Sequence, residues 1–291
     1  MDLLTLITTT TAGPTFWDTV AKIISNGWQS LLYGAGITLL LALTGTIIGF
    51  VIGLLVGIVR TIPVDSKSSI FKKIIVKIVN IILSIYIEVF RGTPMIVQSM
   101  VLFYGYAALT GTSADIIVAG IVIVSINTGA YLAEVVRGGI LSIDKGQFEA
   151  AHSIGMTHTK TMVNVILPQA IRNIMPALGN EFIINIKDTA VLNVISVSEL
   201  FFVAKSIAAN NYKYFEVFFV VSVMYLIMTY GVSRILRLIE RKLEGPRTFT
   251  IHGSQTVPEA EIKVQLNGNG GKDPDRGGMK RWFGGRDKRN W

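Results

Sequence analysis

A run from Gly36 to Val59 without a single charged residue sets the first limit on this chain. At 1.5 Å per residue it crosses about 30 Å of hydrocarbon as a helix, and in lipid only a helix or a closed barrel satisfies its backbone. Composition agrees, with 51% hydrophobic and only 16% charged residues. An all-α integral membrane fold is the expectation. The formal charge of +8 would suggest nucleic acid in a soluble chain, but here the basic residues flank apolar runs, where retention on the cytoplasmic side explains them. No nucleic-acid partner is expected. The chain has no cysteine, so neither disulfides nor thiolate metal sites can form.

Further apolar runs give five expected spans. Residues 1–35 read as an N-terminal outer or interfacial segment without a removable signal, Thr-rich and then amphipathic from Phe16 to Leu32, with Trp17 and Trp28 suited to the lipid boundary. Gly36–Val59 is the first span. Gly45, Gly49, Gly53 and Gly57 make a small-residue stripe on it, a face for a second subunit or for another helix of the same chain. Arg60–Lys77 is a basic loop. Ile78–Leu109 is too long for one simple crossing and is interrupted at Glu88–Pro94, so Phe90–Leu109 is the second span. Ile116–Val136 is the third, Pro168–Val197 the fourth and Phe215–Val232 the fifth, with Ser198–Tyr214 an outer loop. The fourth carries Arg172, Glu181, Lys187 and Asp188, so it must face protein or water rather than lipid.

Lys and Arg concentrate in 60–77, 137–172 and beyond 234, and are sparse in 1–35, 110–115 and 198–214. The N-terminus is therefore expected outside and the C-terminus in the cytoplasm. The tail 244–291, rich in Gly, Lys, Arg and Asp, is expected to be a disordered basic segment; Trp282 and Trp291 could touch anionic lipid or stay solvated.

The cytoplasmic stretch Glu149–Pro168 reads EAAHSIGMTHTKTMVNVILP. A helix begun near Lys145, a positive backbone angle at Gly155, a second helix capped by Thr157 and Pro168 in the first turn of the next span would fold it into a helix, turn and helix. Ala150 and Ala151 beside Glu149 would leave a shallow knob for a groove on another protein. The plain alternative is a connecting loop between spans. Two pentapeptides, Glu88–Gly92 and Glu134–Gly138, each set Glu and Arg three apart, where they can pair. Such pairs can brace the bundle, line an inward-facing gate or anchor helix depth.

The central stretch resembles the EAA loop of ABC importer permeases, matching at Glu149, Ala150, Ala151, Gly155, Leu167 and Pro168, with Val165 in place of Ile. EVFRGTPMIVQ, INTGAYLAEVVRGGI and NEFIINIKDTAVLNVISVSEL extend the resemblance to permeases for polar amino acids over roughly 34–243, with Thr128 and Ala190 standing where Ser is expected. The resemblance implies a type I transmembrane subunit, five helices with a cytoplasmic coupling helix. It would pair with itself or a sister permease, with two ABC ATPase subunits below and an extracytoplasmic solute-binding protein above, in a bacterial plasma membrane. It also implies coupling to the ATPase through the six motif residues. The chain itself has no Gly-x-x-x-x-Gly-Lys-Ser/Thr loop, so ATP and Mg belong to the partner and no catalysis to this chain.

A zwitterionic solute needs charged and polar partners within the span, and Arg91, Gln98, Asn127, Glu181, Asn185, Lys187, Asp188 and Thr189 are the candidates; each could equally serve helix–helix hydrogen bonding. Two other classes compete. An ATP-independent secondary transporter or channel would want inverted repeats, which five spans divide badly. An intramembrane metalloenzyme would want a His/Asp/Glu set in the spans, whereas His152, His158 and His252 all fall in the expected cytoplasmic parts.

Overall fold

The computed structural model describes residues 15–63, 69–243, 248–252 and 261–265. The chain divides into two units, Met1–Arg241 and Lys242–Trp291. The first is helical: α1 Phe16–Val59, α2 Ile70–Gly92, α3 Met95–Thr110, α4 Ile116–Leu141, α5 Lys145–Ser153, α6 His158–Thr161, α7 Leu167–Asp188, α8 Leu200–Asn211 and α9 Tyr214–Leu243. In the second, β1 Thr248–His252 and β2 Glu261–Gln265 pair antiparallel, Thr248 opposite Gln265 and His252 opposite Glu261. This strand pair lies within the tail 244–291 expected to be disordered. The remainder of the tail, with Trp282 and Trp291, lies outside the described residues, as do residues 1–14 and Lys67.

The N-terminal interfacial helix and the first span are one helix of 44 residues, not two elements meeting near 35. Nothing between Phe16 and Val59 breaks it: no proline occurs, and Thr15 and Asp18 close a capping box at its start. At about 66 Å it is twice the hydrocarbon thickness, so part of it lies beyond the apolar layer or tilts within it. The basic loop expected to reach Lys77 ends earlier, because α2 begins at Ile70.

The glycine stripe of α1 meets α4. A Cβ at Gly45 would come within 2.4 Å of Val124, at Gly49 within 2.7 Å of Thr128, at Gly53 within 2.7 Å of Leu132 and at Gly57 within 2.5 Å of Val136. Each step of four along α1 matches a step of four along α4. The missing side chains bring the two backbones together, and the stripe is thereby spent on packing within the subunit.

Among the described residues, α1, α4 and α9 are long and apolar enough to cross a membrane, and a bent pair of segments, 158–195 with 200–211, makes a fourth crossing if it is one span. The outer loop expected at 198–214 is instead the helix α8. Glu199 caps it, its carboxylate accepting from Phe201 N at 2.8 Å and Phe202 N at 2.7 Å. The Tyr225 hydroxyl of α9 donates to the same carboxylate at 3.2 Å, and Leu200 N donates to Thr38 of α1 at 3.2 Å, so α8 is tied to both neighbours.

Candidate functional site

The hairpin 145–168, expected on the cytoplasmic side, is built as its residues dictate. α5 starts at Asp144, whose carboxylate accepts from Gly146 N, and ends in paired turns: Gly155 N donates to His152 O at 3.0 Å and Met156 N to Ala151 O at 3.1 Å. These two bonds form a Schellman motif, which demands a left-handed residue, and Gly155 supplies it with φ +82°. Thr157 then caps α6, accepting from Lys160 N.

From α6 the helix does not restart at Leu167 but runs on through a π-helical turn, Met162–Ile166, into α7. Pro168 explains that turn. Its ring has no N–H for Asn164 and crowds that carbonyl, so the preceding turn widens and Leu167 N donates back to Met162 O. The hairpin is thus stiffly continuous with a membrane helix.

Ala151 faces inward. It is 5% exposed. Ile143, Met162, Ile166, Ala170 and Ile174 close an apolar cluster on Val136 and Ile140 of α4, and Phe148 packs against this cluster. Glu149, Ala150, Ile154 and Gly155 face outward, with Ile154 78% exposed. Leu167 and Pro168 sit at the foot of the next helix, half-buried and exposed. The expected knob therefore has one alanine buried and one on its surface.

Just above lies an ionic cluster. Glu134 of α4 accepts from Arg137 Nε at 3.1 Å, the expected pairing, and also from Arg60 at the end of α1. Arg60 is separated from Glu134 by 74 positions in the chain, and sequence spacing gives no sign of that contact. Among the described residues no ion pair joins Glu88 to Arg91; the Arg91 guanidinium lies over the Tyr131 ring at 5.5 Å.

The residues proposed to meet solute fall into two groups. Gln98 and Asn127 are buried and repair the chain break at Thr93–Pro94. The Gln98 amide N–H group reaches Phe90 O at 2.9 Å and Thr93 O at 2.8 Å, carbonyls that the end of α2 leaves open, and Asn127 Nδ2 donates to Gln98 Oε1 at 2.8 Å. Asn185 is also buried: Nδ2 donates to Thr46 at 2.8 Å and to Thr128 at 3.0 Å, joining α7 to α1 and α4. Thr189 is buried and donates to Ile186 O. Glu181 is half-buried, while Lys187 and Asp188 at the end of α7 and Arg91 on α2 are exposed. The structure brings Gln98 to Asn127; it draws Asn185 to Thr46 and Thr128, neither of them candidates, whose hydroxyls are ordinary in a membrane helix and gave no signal.

A polytopic helical subunit whose hairpin is docked on its own helices and exposes its tip defines a class, the transmembrane component of a multi-subunit transporter. The match is specific: residues 69–245 fit the family described as binding-protein-dependent transport system inner membrane component, and the chain belongs to that family. It is 42% identical over 168 residues to the glutamine transport system permease protein GlnP of Escherichia coli K12, covering 57% of this chain and 77% of that one. The arginine transport system permease protein ArtQ of Bacillus subtilis is 35% identical over 74% of this chain and 93% of its own length. In the crystal structure of an amino acid ABC transporter with histidines, one chain superposes with a TM-score of 0.64 at 36% identity, over 83% of this chain and 99% of that one.

Proposed function

We propose that this chain is the membrane-spanning subunit of an ATP-driven importer for polar amino acids, receiving its solute from an extracytoplasmic binding protein and releasing it to the cytoplasm by alternating access. The observation that carries the proposal is the hairpin. A Schellman turn, a buried Ala151 and a π turn fused to α7 make a stiff lever that hands motion from an exposed tip to a helix rich in polar groups. Relatives named for glutamine and arginine transport support polar amino acids as the class of solute.

In this proposal Glu149, Ala150 and Ile154 seat in a groove of an ABC ATPase dimer, which holds ATP and Mg; Gly155 shapes the tip, and Leu167 and Pro168 fix its base. The chain works with a second permease subunit, itself or a sister. Five spans in a bacterial plasma membrane, N-terminus outside, follow if α2 and α3 count as one crossing interrupted at Thr93–Pro94. Among the solute candidates Glu181, Lys187, Asp188 and Arg91 remain open to a ligand, since their charged heads are not taken up in ion pairs among the described residues.

Reconstitution of this chain with its ATPase and binding protein in liposomes tests the proposal. ATP hydrolysis should rise when a polar amino acid is added with the binding protein, and the stimulating compound identifies the solute. Uptake that runs without ATP would overturn the proposal in favour of a secondary transporter.

A further inference from the structure

Helix α9 is 30 residues long, about 45 Å, against about 30 Å of hydrocarbon. No charge occurs in 217–232, and Arg234 is the first beyond it. Ile227, Tyr230, Arg234, Arg237 and Arg241 recur every three or four residues and so share one face of the helix. Along that face the chemistry changes from apolar to cationic. Ile227 and Tyr230 are 65% and 58% exposed, Leu226 beside them is 66% exposed, and all three arginines are exposed. A different face holds α9 to the bundle: a Cβ at Gly179 of α7 would lie 3.3 Å from Leu236 and 3.6 Å from Glu240.

Among the described residues none of the three arginines is in an ion pair. Glu240, which lies between them in sequence, is on the side of α9 that meets α7. The Arg234 guanidinium instead lies over the Tyr230 ring, 4.7 Å from its centroid, which holds its planar fork at the junction of the two chemistries. Water would satisfy the arginines but not the apolar residues before them, and hydrocarbon would satisfy only the latter. An amphiphile with a phosphate head satisfies both in the order the helix presents them, and a guanidinium fork matches phosphate oxygens two at a time. A protein would have to set an acidic patch directly beside an apolar one at this same boundary.

We propose that this face of α9 binds an anionic phospholipid from the leaflet at the Arg234 end, with the phosphate on Arg234, Arg237 and Arg241 and an acyl chain along Leu226, Ile227 and Tyr230. The assignment rests on the membrane setting of the family and does not require the importer reading.

The test uses the full-length chain with its co-purifying subunits in non-ionic detergent. Phosphatidylglycerol or phosphatidylcholine of the same chain length is titrated in, and bound lipid is counted by native mass spectrometry. Each arginine beside an anionic headgroup is worth about fivefold, so the triple variant Arg234→Gln, Arg237→Gln, Arg241→Gln should bind phosphatidylglycerol about a hundredfold more weakly and phosphatidylcholine as before. The triple variant Lys72→Gln, Lys77→Gln, Lys205→Gln removes as much charge from other exposed positions and should bind phosphatidylglycerol as the native chain does. Tyr230→Leu keeps every charge but releases Arg234, and about a threefold loss is expected; it gives a second reading should the arginine variant not fold. Phosphatidylglycerol held no tighter than phosphatidylcholine, undiminished binding in the arginine variant or in Tyr230→Leu, or an equal loss in the lysine variant would each overturn the assignment. So would an arginine variant that sheds its co-purifying subunits, since the face would then belong to a protein contact.

Discussion

The α1–α4 contact and the outer faces of α2 and α7 use opposite chemistry within one bundle. Between α1 and α4 the chain removes side chains, so Gly45, Gly49, Gly53 and Gly57 let Val124, Thr128, Leu132 and Val136 press against backbone, with no room for a methyl group. On α2 and α7 it keeps charged side chains, and Lys77, Glu88, Arg172, Lys187 and Asp188 among them are exposed. A seam packed to contact has one arrangement, whereas an uncovered polar face can trade partners. The difference separates a rigid frame, α1 with α4, from polar surfaces that the described residues leave exposed.

The frame should break hardest. Gly53→Leu places a side chain against Leu132 and the Ala133 backbone, where a Cβ alone would sit 2.7 Å and 2.9 Å away. Neither backbone can yield locally, and a loss of about 3 kcal/mol or more is expected, read as lost folded protein in detergent thermal-melt and size-exclusion measurements. Gly36→Ala on the same helix meets nothing within 4 Å and should stay within about 0.5 kcal/mol. Equal effects from both would show that the stripe is not a packing seam.

Next comes the ionic tie at the Arg60 end of the frame. Glu134→Ala leaves Arg60 and Arg137 without their shared acceptor in a partly covered site, at an expected cost of about 2 kcal/mol. Arg60→Ala, which leaves Glu134 paired to Arg137, should cost less, and the same thermal melt ranks the two. Asn185→Ala sharpens the boundary between frame and working face. It removes bonds to Thr46 and Thr128, so about 1 kcal/mol of stability should go. Were solute affinity lost with stability intact, Asn185 would be a contact for solute rather than part of the frame.

Much of the hairpin could be read directly from residues, because its signals are local. Gly155, Thr157 and Pro168 each act on the backbone within a turn or two, and each does what its chemistry demands. Glu134 with Arg137 was legible for the same reason. Contacts between distant segments were not: nothing near Arg60 announces Glu134, and nothing near Gln98 and Asn127 announces the open carbonyls of Phe90 and Thr93 that they reach. The glycine stripe was plain, yet its partner was undetermined until Val124 and its successors stood opposite. Helix α8 was missed because its cap, Glu199, reads as one more acidic residue in a short polar stretch. The length of α1 was missed because an amphipathic segment followed by an apolar one looks like two elements when no residue between them breaks the helix.

The central claim is that the hairpin transmits ATPase motion into this bundle, and Gly155→Val tests it most directly. A β-branched residue at φ +82° is strained, and strain of about 1–3 kcal/mol falls on the exposed tip, where a Cβ meets nothing. In reconstituted complexes the variant should lose no more stability than this strain and still co-purify with the ATPase, while stimulation of ATP hydrolysis by solute and binding protein is lost. Full stimulation in the variant would contradict the claim and reduce the hairpin to a connector between helices.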